Sequence, residues 1–404
     1  MTAAATRLAV MMFLEYLIWG SWLPLLALYL GDVLGFTGAQ VGWIFATQAL
    51  ACLAGLFFGG QIADRLLSTE KLLAVLHLIG GTAMFALAFQ RDFWSFFAVM
   101  LVYQLAYMPT MSLTNAICFH HIRDAQREFG QVRLWGTIGW IAASWPFVFI
   151  LAGKTGPDLH AALASIFTVA GLASIALAGF SLTLPHTPPA RQSGSSSAPI
   201  TAIKLLRDPA MAVLFVATLM DALVHQAYFQ WTSPFLQHAG LAENWIMAAM
   251  SVGQVAEIVS MAILGRALAR LGWRWTMTLG VLAHAARFLV FAIGDPLWLM
   301  VAVNLVHGMC YAFFFAAVYI FVDERCPRDA RASAQGLFNL VILGVGPFAG
   351  SLLWGWLGDI FRLADGTVDF TRLFLAPAGL ALAAAALLAI GFRPQSAEIV
   401  ENTQ

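Results

Sequence analysis

Twelve times along this chain a stretch of about 20 mostly apolar residues runs from one polar break to the next, and this repetition limits the fold more than any other feature. A helix of that length crosses the hydrocarbon core of a bilayer, where the backbone meets no water and must satisfy its amides within its own helix. The segments lie near 7–30, 39–62, 71–90, 94–117, 133–153, 160–183, 209–236, 244–268, 273–293, 296–320, 335–357 and 371–391. Turn chemistry marks the breaks, as at Arg91-Asp92, Gly156-Pro157-Asp158 and Gly294-Asp295-Pro296. Of the 404 residues, 61% are hydrophobic and 10% charged, whereas about a quarter of a soluble domain is charged. One water-soluble core cannot hide that much apolar surface, so the expected fold class is an all-α polytopic membrane protein.

The same composition narrows the function. Net charge is zero and no Lys/Arg-rich tail is present, so nothing supplies the field that gathers nucleic acid. Cys52, Cys118, Cys310 and Cys326 stand singly, with neither metal-site spacing nor a disulfide framework, and read as small buried hydrophobes. No cofactor or metal is expected. The first apolar stretch contains Glu15 and lacks a small-residue cleavage site, so it reads as a retained first helix. An intramembrane enzyme needs a nucleophile or metal cluster at depth, and a receptor needs a signalling domain. The chain has neither an H-E-x-x-H nor a G-x-S-x-G motif, nor a soluble segment long enough to fold.

Basic loops stay cytoplasmic. With both termini inside, the opposite side keeps only Arg91, Lys154, Arg362 and Arg372. The longest polar interruption, Pro185 to Asp208, includes PHTPPARQSGSSSAP, the composition of a flexible linker. The chain therefore divides into residues 1–184 with six helices, a cytoplasmic linker 185–208, and residues 209–404 with six helices and a short cytoplasmic tail. This is the plan of the major facilitator fold, in which two halves rock about a site at the midplane. One chain holds both halves and can work as a monomer in the lipid bilayer.

The segment GGQIADRLLSTEK, residues 59–71, resembles the G-x-x-x-D-R signature of that superfamily. Gly60 would permit close packing there, and Asp64 and Arg65 would make charge contacts at a gate between halves; an ordinary solvated loop is the plainer reading. Charges inside helices say more, because a charge at the bilayer centre costs about 2.5–3.5 kcal/mol on insertion scales. Glu15, Arg133, Asp221, Glu257 and Arg287 are such charges. Arg133 lies near a helix end, within reach of the surface. Glu257 lies mid-helix and is the first choice of proton carrier, with Asp221 and Glu15 beside it as candidates.

Helical spacing gathers polar and aromatic groups around these charges. Gln254 and Glu257 share one face of the eighth segment, and Arg133, Thr137 and Trp140 form a stripe on the fifth. His307 and Tyr311 repeat the i,i+4 spacing on the tenth, while Asp221, His225 and Gln226 cluster with Phe229 on the seventh. Taken singly, each group is well read as an interhelical contact. Four stripes together suit a neutral, polar, aromatic ligand whose edges bond to amide and carboxylate and whose flat face stacks on a ring.

Six segments carry a resemblance: LIWGSWLPLL (17–26), AYMPTMSLTNAI (106–117), RLWGTIGW (133–140), TLPHTP (183–188), ARFLVFAIGDP (286–296) and RASAQGLF (331–338). In order and spacing they resemble the nucleoside:proton symporter family of the major facilitator superfamily. The resemblance implies nucleoside uptake across a bacterial inner membrane, driven by the proton gradient. It places Arg133, Thr137 and Trp140 on a binding stripe, Gln254 and Glu257 on a Q-x-x-E pair that bonds the ligand, and Gln226 on a binding glutamine. Asn115 and Arg287 keep their residue types. The chain departs from the pattern on the tenth segment, where Tyr311 is followed by Ala312 rather than the Asp of some relatives and His307 stands in place of Tyr, at Trp140, where relatives can carry Phe, and at Phe229 or Tyr228, where a relative can have Asn. The substrate is therefore open between nucleosides and another small neutral solute, a sugar or a drug.

Overall fold

Helices begin where the sequence supplies a cap for the first turn. The computed structural model describes residues 3–122, 125–188, 205–326 and 331–393. Within them α1 runs Ala3–Leu28 and continues as a π-helical turn, Tyr29–Val33. Thr37 and Gln40 form a reciprocal capping box that opens α2, Gly38–Leu66. After α3, Thr69–Leu87, Asp92 accepts the Ser95 backbone N–H at the start of α4, Phe93–His121. Helix α5 is Ala125–Ile150, and α6 spans Gly156–Ser181. Asp208 caps α7, Pro209–His238, whose proline occupies a first-turn position that needs no N–H.

The helical run Glu243–Ile293 is folded in two at Gly272, whose φ of 70° lies in the left-handed region open to glycine. Its arms are α8, residues 243–271, and α9, residues 273–293. Helix α10, Leu297–Arg325, contains a 3₁₀ turn at Val303–Val306 and a π segment at Tyr311–Ala316. Helix α11 runs from Arg331–Asn339 through a π segment, Leu340–Val345, into Gly346–Ile360; Asp369 then caps α12, Phe370–Gly391. Among the described residues nine helices, with α8 and α9 taken as one, are long and apolar enough to cross a membrane. No strand occurs among the described residues; the only pairing is an isolated bridge, Arg362 to Val368.

Two differences from the sequence reading bear on the site and its surroundings. Helix α5 begins at Ala125 rather than near 133, because the polar run AQREFGQV continues the helix beyond the apolar stretch that hydropathy detects. Arg133 is thus two turns inside the helix and not at its end. The linker is anchored where it begins: the Thr187 N–H donates to Glu70 of α3 at 2.9 Å, the Thr69 N–H donates to the Thr187 carbonyl at 3.0 Å, and His121 of α4 bonds the Thr187 hydroxyl at 2.9 Å.

The first six helices pack chiefly on one another, as do the last six; α2 against α11, α5 against α8 and α1 against α7 join the two sets. At the end away from the linker this seam is closed. The Asp359 carboxylate of α11 accepts the backbone N–H groups of Gly38 and Ala39 at 2.6 and 2.7 Å, capping α2 from the other set. Gln237 of α7 donates to Asp32 at 2.8 Å, and Asn244 of α8 donates to the Val148 carbonyl of α5 at 3.3 Å.

In lipid, helices approach through small residues, since tails and side chains are equally apolar. Gly139 of α5 lies so close to α1 that a methyl group there would collide with the Phe13 carbonyl. Gly179 of α6 has nothing within 4 Å of the same position. Gly139→Ala is therefore expected to destabilise the protein by about 1–3 kcal/mol through overpacking, whereas Gly179→Ala leaves it unchanged or slightly more stable. Thermal unfolding in detergent checks this; equal midpoints for the two variants would show that the α1–α5 crossing is not close-packed.

Candidate functional site

Charged side chains gather in three clusters along the middle of the helices. The first joins the two sets of six. Arg133 of α5 lays its guanidinium over the Tyr16 ring of α1, 4.0 Å from the centroid, a cation–π contact. From the other set, Glu257 of α8 acts electrostatically on both, and Tyr311 of α10 on Arg133 and Glu257. Opposite charges borne by different sets thus lie within electrostatic range of one another. Trp140, two turns along α5 from Arg133, meets Trp19 edge-on at 5.3 Å and reaches Phe229 of α7 at 6.5 Å. Aromatic faces therefore flank the charged pair. Thr137, Gln226 and Gln254 are half-buried, and Gln226 rests against Gly350 of α11. Of the stripes read from the sequence, α5, α8 and α10 bring Arg133, Glu257 and Tyr311 here, and α7 brings Phe229 against Trp140.

Helix α10 does not keep its two candidates together. Tyr311 begins the π segment and interacts with Arg133 and Glu257. His307, one turn earlier, is 2% exposed and turns into the second set. It stacks on Tyr228 at 4.7 Å and on His225 at 5.5 Å, and its Nδ1 lies 2.7 Å from Nη1 of Arg287. A π segment shifts the angular register of everything beyond it, and such bulges gather at functional sites.

His307 belongs to the second cluster. Asp221 of α7 is fully buried, and its Oδ1 lies 2.8 Å from Nδ1 of His284 on α9. The other nitrogen of His284 lies 3.2 Å from Nδ1 of His225. Arg287 is also fully buried, with its guanidinium 4.0 Å above the Tyr228 ring.

The third cluster lies in the first set. Glu15 of α1, fully buried, bonds His77 Nε2 of α3 at 2.9 Å and accepts the Thr110 hydroxyl of α4 at 2.6 Å. His77 Nδ1 lies 3.2 Å from the Ser174 hydroxyl of α6. Sequence reasoning found both carboxylates and missed the histidines His77 and His284, because it searched the helices for fixed charges. An imidazole within an apolar span is ionisable too and carries the same signal. Tyr16 and Trp19 were missed because aromatic residues are common throughout the chain. Gly60, Asp64 and Arg65 lie in the last turns of α2, where their side chains fall outside the described residues. Asn115, on α4, is half-buried.

Comparison with known proteins places this geometry. A family model described as nucleoside H+ symporter matches residues 1–397. A xanthosine permease of Escherichia coli (strain K12) is 33% identical over 410 residues, covering 96% of each chain, and the nucleoside permease NupG of the same organism is 29% identical over 98% of each. The crystal structure of nucleoside transporter NupG superposes with a TM-score of 0.86 at 27% identity, covering 98% of this chain and 100% of that one. At 12% identity, the crystal structure of a D-xylose-proton symporter shares the fold with a TM-score of 0.76. The protein is a multi-pass membrane transporter of the major facilitator fold rather than an enzyme, and it belongs to the nucleoside H+ symporter family.

Proposed function

We propose that this chain imports nucleosides together with protons across a bacterial inner membrane, by alternating access between two six-helix halves, residues 1–184 and 209–404, with linker 185–208 and both termini cytoplasmic. All twelve helical rods cross the bilayer in this reading, and one chain suffices. The observation that carries it is the approach of opposite charges from the two halves: Arg133, stacked on Tyr16, lies within electrostatic range of Glu257, and Trp140 on the same helix reaches Phe229 across the seam. A charge at the depth of a bilayer is costly unless it finds a partner. A ligand that can bond both charges therefore replaces what each loses when the halves part.

A nucleoside meets those requirements. Its base is flat, its ribose offers hydroxyl groups and it carries no net charge. Trp140 and Phe229, with Tyr311 across from them, supply faces for the base. Gln226 and Gln254 offer amides to its edge, and Thr137, Arg133 and Glu257 bond hydroxyls or ring nitrogens. His307 stands behind Phe229, 6.2 Å away ring to ring. The proton rides on one of three carboxylates, the buried Glu15 and Asp221 or the half-buried Glu257. The gate residues Gly60, Asp64 and Arg65 close the cytoplasmic end when the far end opens.

In proteoliposomes with an imposed inward proton gradient, labelled uridine or adenosine is expected to accumulate above the outside concentration, and a protonophore should abolish the excess. Uptake of sugars with neglect of both nucleosides would replace this reading with that of another neutral-solute carrier. Glu257→Gln and Arg133→Ala should each weaken nucleoside binding at least tenfold, about 1.4 kcal/mol, measured by isothermal titration in detergent. Trp140→Ala is expected to weaken binding about tenfold, with Trp140→Phe close to wild type; equal losses in both would show that the ring does not stack on the ligand.

A further inference from the structure

The carboxylate–histidine pair occurs twice, once in each half. Glu15 on α1 and His77 on α3 stand 62 residues apart, and Asp221 on α7 and His284 on α9 stand 63 apart. Both pairs join the first and third helices of a six-helix set. Their surroundings differ. Around Glu15 both oxygens are bonded, and the second nitrogen of His77 ends on Ser174, whose hydroxyl donates in turn to the His77 carbonyl at 2.8 Å. That network closes on itself. Around Asp221 it stays open: Oδ2 accepts no hydrogen bond among the described residues, and the second nitrogen of His284 leads on to His225. His225 is only half-buried and meets the Phe229 ring at 5.3 Å. The chain Asp221–His284–His225 thus runs from a fully buried carboxylate to the ring that faces Trp140 in the ligand site.

We infer that Asp221, His284 and His225 form the proton site of the symporter, with His225 as its entrance and Asp221 as its terminus. The inference rests on the proton-symport reading above and assigns the step which that reading leaves among three carboxylates. The transfer balances without movement of heavy atoms. A proton adds to Nε2 of His225; the Nδ1 proton of His225 passes to Nε2 of His284; the Nδ1 proton of His284 passes to Oδ1 of Asp221. Both imidazoles end neutral with their tautomers reversed, and the carboxylate ends as the acid. Release retraces the path, so one proton enters and one leaves per cycle.

Coupling follows from the charge beside the relay. The titratable and charged groups around Asp221 are His225 and Tyr228 of α7, His284 and Arg287 of α9, and His307 and Cys310 of α10. Helices α11 and α12 bear titratable side chains only near their ends, Arg331, Asp359 and Arg372. Among the described residues Arg287 is therefore the one fixed charge acting on Asp221, and its Nε and Nη2 find no partner there. With Asp221 ionised the two charges cancel. With Asp221 protonated, Arg287 is left as a buried, unbalanced cation, which low-dielectric surroundings penalise. Proton arrival thus changes the relative stability of two states of the protein, which is the requirement for coupling.

The test uses the full chain in proteoliposomes and two assays of labelled uridine: accumulation under an inward proton gradient, and counterflow without any gradient. Asp221→Asn holds the residue in the equivalent of its protonated form. It is expected to lower the accumulation-to-counterflow ratio at least tenfold, with counterflow still measurable and the dependence of initial rate on outside pH flattened. Accumulation by Asp221→Asn that a protonophore abolishes, at half the wild-type level or more, overturns the proposal while leaving proton symport intact. Wild type that fails to accumulate overturns both. Should Asp221→Asn lose counterflow as well, His225→Phe decides, because it keeps the ring packing and cuts the relay: loss of accumulation with counterflow retained supports the proposal. Accumulation retained, or both activities lost again, overturns it, since a relay separate from the ligand site must permit exchange without coupling.

Discussion

An ionised side chain placed at the depth of a bilayer must find a partner, and that requirement orients these helices. Glu15 obliges α1 to face α3 and α4, where His77 and Thr110 wait. Asp221 does the same for α7 against α9, and Arg133 turns α5 toward Tyr16 on α1 and Glu257 across the seam. Once these rotations are fixed, the apolar faces are fixed with them. Glycine then appears where backbones must nearly touch, as at Gly139 against Phe13. In water such pairs would add little. Here the alternative to pairing is a charge in hydrocarbon, so partners select the packing.

The helices were legible because a span needs about 20 apolar residues and turn residues such as Arg91-Asp92 mark the breaks; the caps at Thr37, Asp208 and Asp369 set their starts in the fold. Hydropathy failed where a helix leaves the apolar layer without ending, as α5 does between Ala125 and Arg133. It also missed the anchored start of the linker, since a backbone bond to Glu70 leaves no trace in composition. At the site, residue types could be read and their partners could not. Periodicity put His307 and Tyr311 on one stripe; in the fold His307 meets Arg287 and Tyr228, whereas Tyr311 lies toward Arg133 and Glu257. The pairing of Arg133 with Glu257 joins residues 124 positions apart, from helices whose relative placement only the folded chain defines.

A carboxylate–histidine pair recurs in the two sets of six helices, each time between the first helix and the third. The residues around the two pairs differ. Only the acid, the base and their spacing along the first and third helices persist, together with the crossing that brings them together. Serine and threonine seal one copy, whereas a second histidine extends the other toward the ligand site. One motif can brace a structure or move a charge, and its third neighbour decides which.

The corner at Gly272 has a mechanical consequence. A single residue in the left-handed conformation joins α8, which bears Gln254 and Glu257, to α9, which bears His284 and Arg287. No loop lies between them to absorb slack. A longer connection would let the near ends of the two arms drift apart; here they share one fixed point. The arms can swing about that corner, but neither can slide along its axis without carrying the near end of the other with it.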